Sequence, residues 1–247
     1  MRDEQLLEYS DEEVEMSFLD HLEELRRRII YSIVVVFVSS IVCWIFIDPL
    51  VEYVLLYPAK TAGVKLQNLK PFGQLILFIQ TAFLCGFVVS LPFVFAQIWL
   101  FVAPALKKNE KKYFFSIMFF TAFCFALGAL FALYIMLPMA LEFASKFGTL
   151  EIENNFSLEE YVSLLFSVIL GAGIIFELPV ISFFLSRIGV LTPSFMRKYR
   201  RHAIVIIMIL AAFLTPGPDP MSQLILAAPL FLLYEISILI SSFAQIK

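Results

Sequence analysis

Two carboxylates stand where carboxylates are rare. Residues 161–186 read YVSLLFSVILGAGIIFELPVISFFLS, an apolar stretch long enough to cross a bilayer whose only charged-type residue is Glu177. A second acid, Glu235, interrupts the apolar run 221–243. A carboxylate near the centre of a membrane helix costs roughly 2.5–3.5 kcal/mol on insertion scales, so a chain that keeps one needs a partner, a water-filled cavity or a substrate for it. Three roles stay open for Glu177: a polar tie between helices, a hydrated group lining a concave surface that receives another helical segment, or a proton-relay member. For Glu235 the flanking Tyr234 and Ser237 offer local satisfaction, which favours a structural role.

Two further acids lie among bases. In HLEELRRR, residues 21–28, Glu23 with Arg27 and Glu24 with Arg28 stand four apart and can pair on a helix. Leu19, Leu22, Leu25 and Ile29 share one helical face, so this is an amphipathic lead-in continuous with the apolar run after it. In FVAPALKKNEKK, residues 101–112, Glu110 is the only acid beside Lys107, Lys108, Lys111 and Lys112. Each place has a plain reading, local charge compensation, and a sharper one, an acceptor for an incoming cation.

Other chemistry is missing from the pattern. The two histidines, His21 and His202, belong to no zinc-protease helix, and Cys43, Cys85 and Cys124 sit inside apolar runs without metal-ligand or disulfide spacing. No nucleophile elbow, phosphate loop or dinucleotide fingerprint occurs. We therefore expect no enzyme activity, no metal and no cofactor.

The elements that must position these groups follow from composition. The chain has 247 residues, 61% hydrophobic and 16% charged, against about 45–50% and about 25% in soluble domains. It reads as an all-α integral membrane protein. Apolar runs occupy residues 29–47, 75–106, 113–141, 161–186, 203–214 and 221–243, which predicts six transmembrane helices. The fifth and sixth are expected to be short: the fifth run would rise only about 18 Å before the turn chemistry of TPGPDP, residues 215–220. Lys and Arg cluster before span one, between spans two and three, and between spans four and five, so both termini are expected in the cytoplasm. Residues 1–17 are acidic and read as a disordered cytoplasmic tail; 18–247 form one membrane domain. Pro92, Pro138, Pro179 and Pro229 tend to kink helices, and Gly128, Gly171 and Gly173 let helices approach, consistent with a curved, concave bundle.

HLEELRRR, then Gln97-Ile98-Trp99 followed by FVAPALKKNEKK, closely resemble the TatC family, the receptor subunit of the twin-arginine protein translocase. The likeness runs from Phe18 onward through Phe176-Glu177-Leu178-Pro179, Leu214-Thr215-Pro216, Ser222-Gln223 and Tyr234-Glu235-Ile236. It implies a receptor at the cytoplasmic face of a bacterial inner membrane that binds signal peptides with adjacent arginines and serves export of folded proteins. The implied peptide-binding carboxylates are Glu24 and Glu110, with Arg26 and Phe101 bordering them. Arginine pairs bidentately with carboxylate and lysine substitutes poorly, which agrees with that assignment. The resemblance also implies docking of single-span TatA and TatB type partners near Thr215 and Gln223, an oligomeric complex, and functional loop positions at Pro58 and Asp219. No nucleic acid is implied. The alternative from another class is a proton-coupled secondary transporter working through Glu177 and Glu235.

Overall fold

The computed structural model describes residues 18–102, 114–146, 155–187, 189–214 and 220–245. The acidic segment 1–17 lies outside the described residues, as do Glu110, Thr215 and Asp219. Helix α1 runs Phe18–Ile45, α2 Gly73–Val102, α3 Phe114–Phe131, α4 Leu137–Lys146, α5 Leu158–Ile175, α6 Leu178–Arg187, α7 Arg200–Leu214 and α8 Pro220–Gln245. Apolar runs take this form because hydrocarbon offers no water to a free N–H or C=O, and a helix satisfies both internally.

Five segments are long and apolar enough to cross a membrane: His21–Ile45, Gly73–Phe101, Met118–Lys146, Leu158–Arg187 and Gln223–Ala244. The fifth run of the sequence becomes α7, whose 15 residues span about 22 Å. A straight crossing needs about 20 residues. The sixth helix corrects the expectation that it too is short, since α8 has 26 residues. Pro229 lies inside α8 without ending it, as Pro92 lies inside α2.

The other two prolines mark irregularities in their helices. Pro138 is second in α4, directly after a π-helical turn at Ala132–Met136. Pro179 is second in α6, after a turn at Phe176 and Glu177 that splits the fourth apolar run. There the Glu177 N–H turns back to the Ile174 carbonyl at 3.1 Å, instead of reaching a full helical turn. Glu177 therefore occupies a joint between helices.

Helix α1 packs along α2, α3 along α5, and α8 against both α6 and α7. Two glycines let helix backbones approach closely. A Cβ on Gly86 would come within 2.5 Å of Ser40 Cα, and one on Gly128 within 2.7 Å of the Ala172 carbonyl oxygen. Between α1 and α2 the helical turns Ile47–Leu50, Val51–Leu55 and Tyr57–Thr61 fold inward, and the last packs on α4. Leu55 and Pro58 are buried there, and the Tyr161 hydroxyl of α5 donates to the Leu55 carbonyl.

The all-α expectation misses one small feature. Strand β1, Leu66–Gln67, pairs in parallel with β2, Phe156–Ser157, just ahead of α5. Strands of two residues carry no periodicity, so the sequence gives no warning of them.

Candidate functional site

The first turns of α1 are oriented by what α2 offers them. Leu22 and Ile29 are exposed, while His21, Glu24, Leu25 and Arg28 are half-buried. The side packed on α2 thus includes polar groups, Glu24 and Arg28, which find their partners inside the protein, while Glu23, Arg26 and Arg27 are exposed. Arg28 donates from Nη2 to Glu24 Oε1 at 2.9 Å and from Nη1 to Gln97 Oε1 of α2 at 3.0 Å. The Glu24 side chain is 10% exposed and that of Arg28 21%. One turn before Glu24, the His21 ring stacks on Phe101 near the end of α2, centroids 4.3 Å apart. Arg26 is exposed on the side away from these contacts.

Chemically this is a carboxylate with one oxygen engaged by an internal arginine and a flat aromatic pair beside it. Gln97 is the residue that sequence reasoning left without a role. The available signal was its polarity within the apolar α2, because a buried amide costs free energy unless it is hydrogen-bonded.

Glu177 is placed differently. It is 7% exposed, and both carboxylate oxygens are buried without a hydrogen-bond partner among the described residues. It lines an open cavity of about 400 Å³ between α2, α3 and the α5–α6 joint, walled by Leu91, Phe95, Ile98, Trp99, Phe125 and Phe184 among others. Trp99 meets Phe184 edge-on at 5.0 Å and so connects α2 with α6. Ile98 and Trp99 face this groove while the adjoining Gln97 bonds Arg28, so the end of α2 serves both places.

Glu235 is not satisfied by its neighbours in sequence, contrary to expectation. The Tyr234 hydroxyl donates to the Met196 carbonyl at 2.8 Å and the Ser237 hydroxyl to the Leu233 carbonyl at 2.7 Å. Glu235 instead pairs with Arg200 at the start of α7, 2.6 Å away. It does not line the Glu177 groove, so the two membrane acids are not brought into one site. Gln223 donates its amide to the Met208 carbonyl at 2.9 Å and fastens α8 to α7. Pro58 lies beyond the far end of α1 from Glu24, buried in the loop that packs on α4.

A family model described as Sec-independent protein translocase protein (TatC) matches residues 20–229. The chain belongs to the TatC family. A Sec-independent protein translocase protein TatC from Helicobacter pylori is 38% identical over 221 residues, covering 90% of this chain and 85% of that protein. Its counterpart in Blattabacterium is 33% identical over 264 residues, covering 96% and 99%. A crystal structure of the twin arginine translocase receptor TatC aligns with a TM-score of 0.75 at 34% identity, covering 91% of this chain and 99% of that one. This TatC-family chain is thus a membrane protein of a protein-translocase family, and the resemblance read from HLEELRRR and FVAPALKKNEKK is correct.

Proposed function

We propose that this TatC-family protein is the receptor and core subunit of a twin-arginine translocation system in a bacterial cytoplasmic membrane. It binds twin-arginine signal peptides of folded precursors at the cytoplasmic face, for export driven by the proton-motive force. Glu24 and Glu110 accept the peptide's guanidinium groups, with Arg26 and Phe101 at the border. The chain crosses six times with both termini in the cytoplasm, α7 being the short fifth crossing. TatA and TatB type subunits dock at the α7–α8 hairpin near Thr215 and Gln223, and Pro58 and Asp219 shape the loops.

The observation that carries this reading is the Glu24 carboxylate. It sits at the rim of α1 with Arg28 on one oxygen only, beside the ring of Phe101. A guanidinium arriving from solvent finds a charged acceptor and a flat surface to stack on. The apolar groove that holds Glu177 lies next along α2. It is suited to the hydrophobic segment of a signal peptide or to a partner helix, with Glu177 as the one carboxyl that segment would meet.

Photocrosslinking of a twin-arginine signal peptide to the purified protein tests the proposal. Crosslinking should fall strongly in Glu24→Ala and Glu110→Ala and with a twin-lysine peptide. Equal crosslinking in all of these would sink it.

A further inference from the structure

We propose that Gln97 is a positioning residue for signal recognition, acting through Arg28 to keep one carboxylate oxygen of Glu24 open. The inference rests on Glu24 as the peptide-binding acid and goes beyond it by giving a role to a residue that does not touch the peptide.

The geometry is a relay of two hydrogen bonds. Gln97, only 7% exposed, uses its carbonyl oxygen on Arg28 Nη1 at 3.0 Å, and Arg28 uses Nη2 on Glu24 Oε1 at 2.9 Å. A guanidinium is a rigid planar fork, so fixing one nitrogen fixes the direction of the others. Its Nε is buried without a partner among the described residues, so Gln97 and Glu24 alone hold the fork. An arginine four residues after a glutamate on a helix is otherwise free to close on both carboxylate oxygens, the stronger bidentate geometry. Gln97 draws one nitrogen away toward α2 and prevents that closure. The second oxygen of Glu24 then remains for an arginine of the peptide. Loss of Gln97 turns Arg28 into an internal competitor that occupies the acceptor meant for the signal.

A twin-arginine peptide draws affinity from that oxygen by guanidinium pairing while a twin-lysine peptide gains little there, so the loss falls on the former, which separates this role from general loss of structure. Binding of fluorescent twin-arginine and twin-lysine peptides to the purified full-length protein, checked for monodisperse elution, makes the test. Gln97→Met, close in size and apolar, should lower twin-arginine affinity on the order of tenfold and leave twin-lysine binding unchanged. Gln97→Glu retains the acceptor oxygen and should restore affinity. In an Arg28→Lys or Glu24→Gln background, Gln97→Met should add no further loss. An unchanged affinity in Gln97→Met, an equal loss for both peptides, or a full additional loss in the Glu24→Gln background overturns the positioning role. Unchanged twin-arginine binding in Glu24→Gln by itself overturns the recognition reading, and the positioning role with it.

Discussion

Glu24 stands at the rim of α1 with one oxygen on Arg28 at 2.9 Å and a border of aromatic rings, whereas Glu177 stands at the α5–α6 joint with both oxygens buried and unpartnered among the described residues. Glu24 lies in the charged lead-in HLEELRRR, and Glu177 interrupts an otherwise apolar run. The difference lies in what each is prepared for. A partnered carboxylate at a half-buried rim is oriented in advance and can exchange solvent for a cation at small cost. A buried carboxyl in an apolar groove, without a hydrogen-bond partner among the described residues, costs desolvation that nothing described there offsets. It makes sense as a group awaiting a donor from something that enters the groove.

The largest expected effect tests the first half of that contrast. Glu24→Ala removes the acceptor and leaves Arg28 without its charged partner, a loss of about 2–5 kcal/mol for a close hydrogen-bonded charge pair. Signal-peptide affinity, read by fluorescence anisotropy, should fall by a factor of about 30 or more. A loss under threefold would erase the contrast.

The second prediction concerns Glu177. Because its oxygens have no hydrogen-bond partner among the described residues, Glu177→Leu should leave the detergent-solubilised protein as stable or more stable, by about 1–3 kcal/mol, since an unsatisfied buried polar group is replaced by an apolar one. Thermal unfolding should show an equal or higher midpoint. Export should nevertheless fail in Glu177→Leu and survive in Glu177→Gln, because the amide can still bond an entering segment. A lower midpoint for Glu177→Leu would mean that the carboxyl is satisfied within the chain.

A smaller effect comes from ionic strength. Glu24 is near the surface, so raising salt from about 0.1 M to about 1 M, which shortens the screening length from about 10 Å to about 3 Å, should weaken twin-arginine binding several-fold. Salt-independent affinity would shift the weight of recognition from Glu24 to the apolar groove.

The smallest effect belongs to a third acid that sharpens the comparison. Glu235 and Arg200 are 2.6 Å apart and both partly exposed. Arg200→Gln should therefore cost about 1 kcal/mol or less in unfolding free energy, as exposed pairs do, and should leave peptide affinity unchanged. A loss of binding would tie Glu235 to the recognition site.

Much of this was legible in the residues. Runs of uncharged apolar residues mark every long helix, because only a helix satisfies the backbone in hydrocarbon. Glu24 and Arg28 were readable as a pair from their spacing of four, and the structure forms that pair at 2.9 Å. Pro179 announced a disturbance near Glu177 but not its form. Pro92 and Pro229 are the same residue type in similar runs, yet their helices continue. Residue type therefore does not tell which proline stands beside a turn, as Pro179 does, and which is carried inside a continuing helix. The direction faced by the start of α1 was also hidden. Alternation of Leu and charge is the same whichever side packs on protein, and contacts across the interface such as Arg28 with Gln97 and His21 with Phe101 appear only in the fold.

The sequence by itself determined the membrane class, the helical runs, the family and the acids worth testing. Each of these follows from composition or short spacing, which a chain carries with it before it folds. Tertiary structure decided which acids have partners. Glu235 took Arg200, 35 residues away. Glu24 shares Arg28 with Gln97, which is 69 residues from that arginine. Glu177 received no partner among the described residues. Hydrogen bonds act over about 3 Å, so partners distant in sequence are chosen only once the helices have packed.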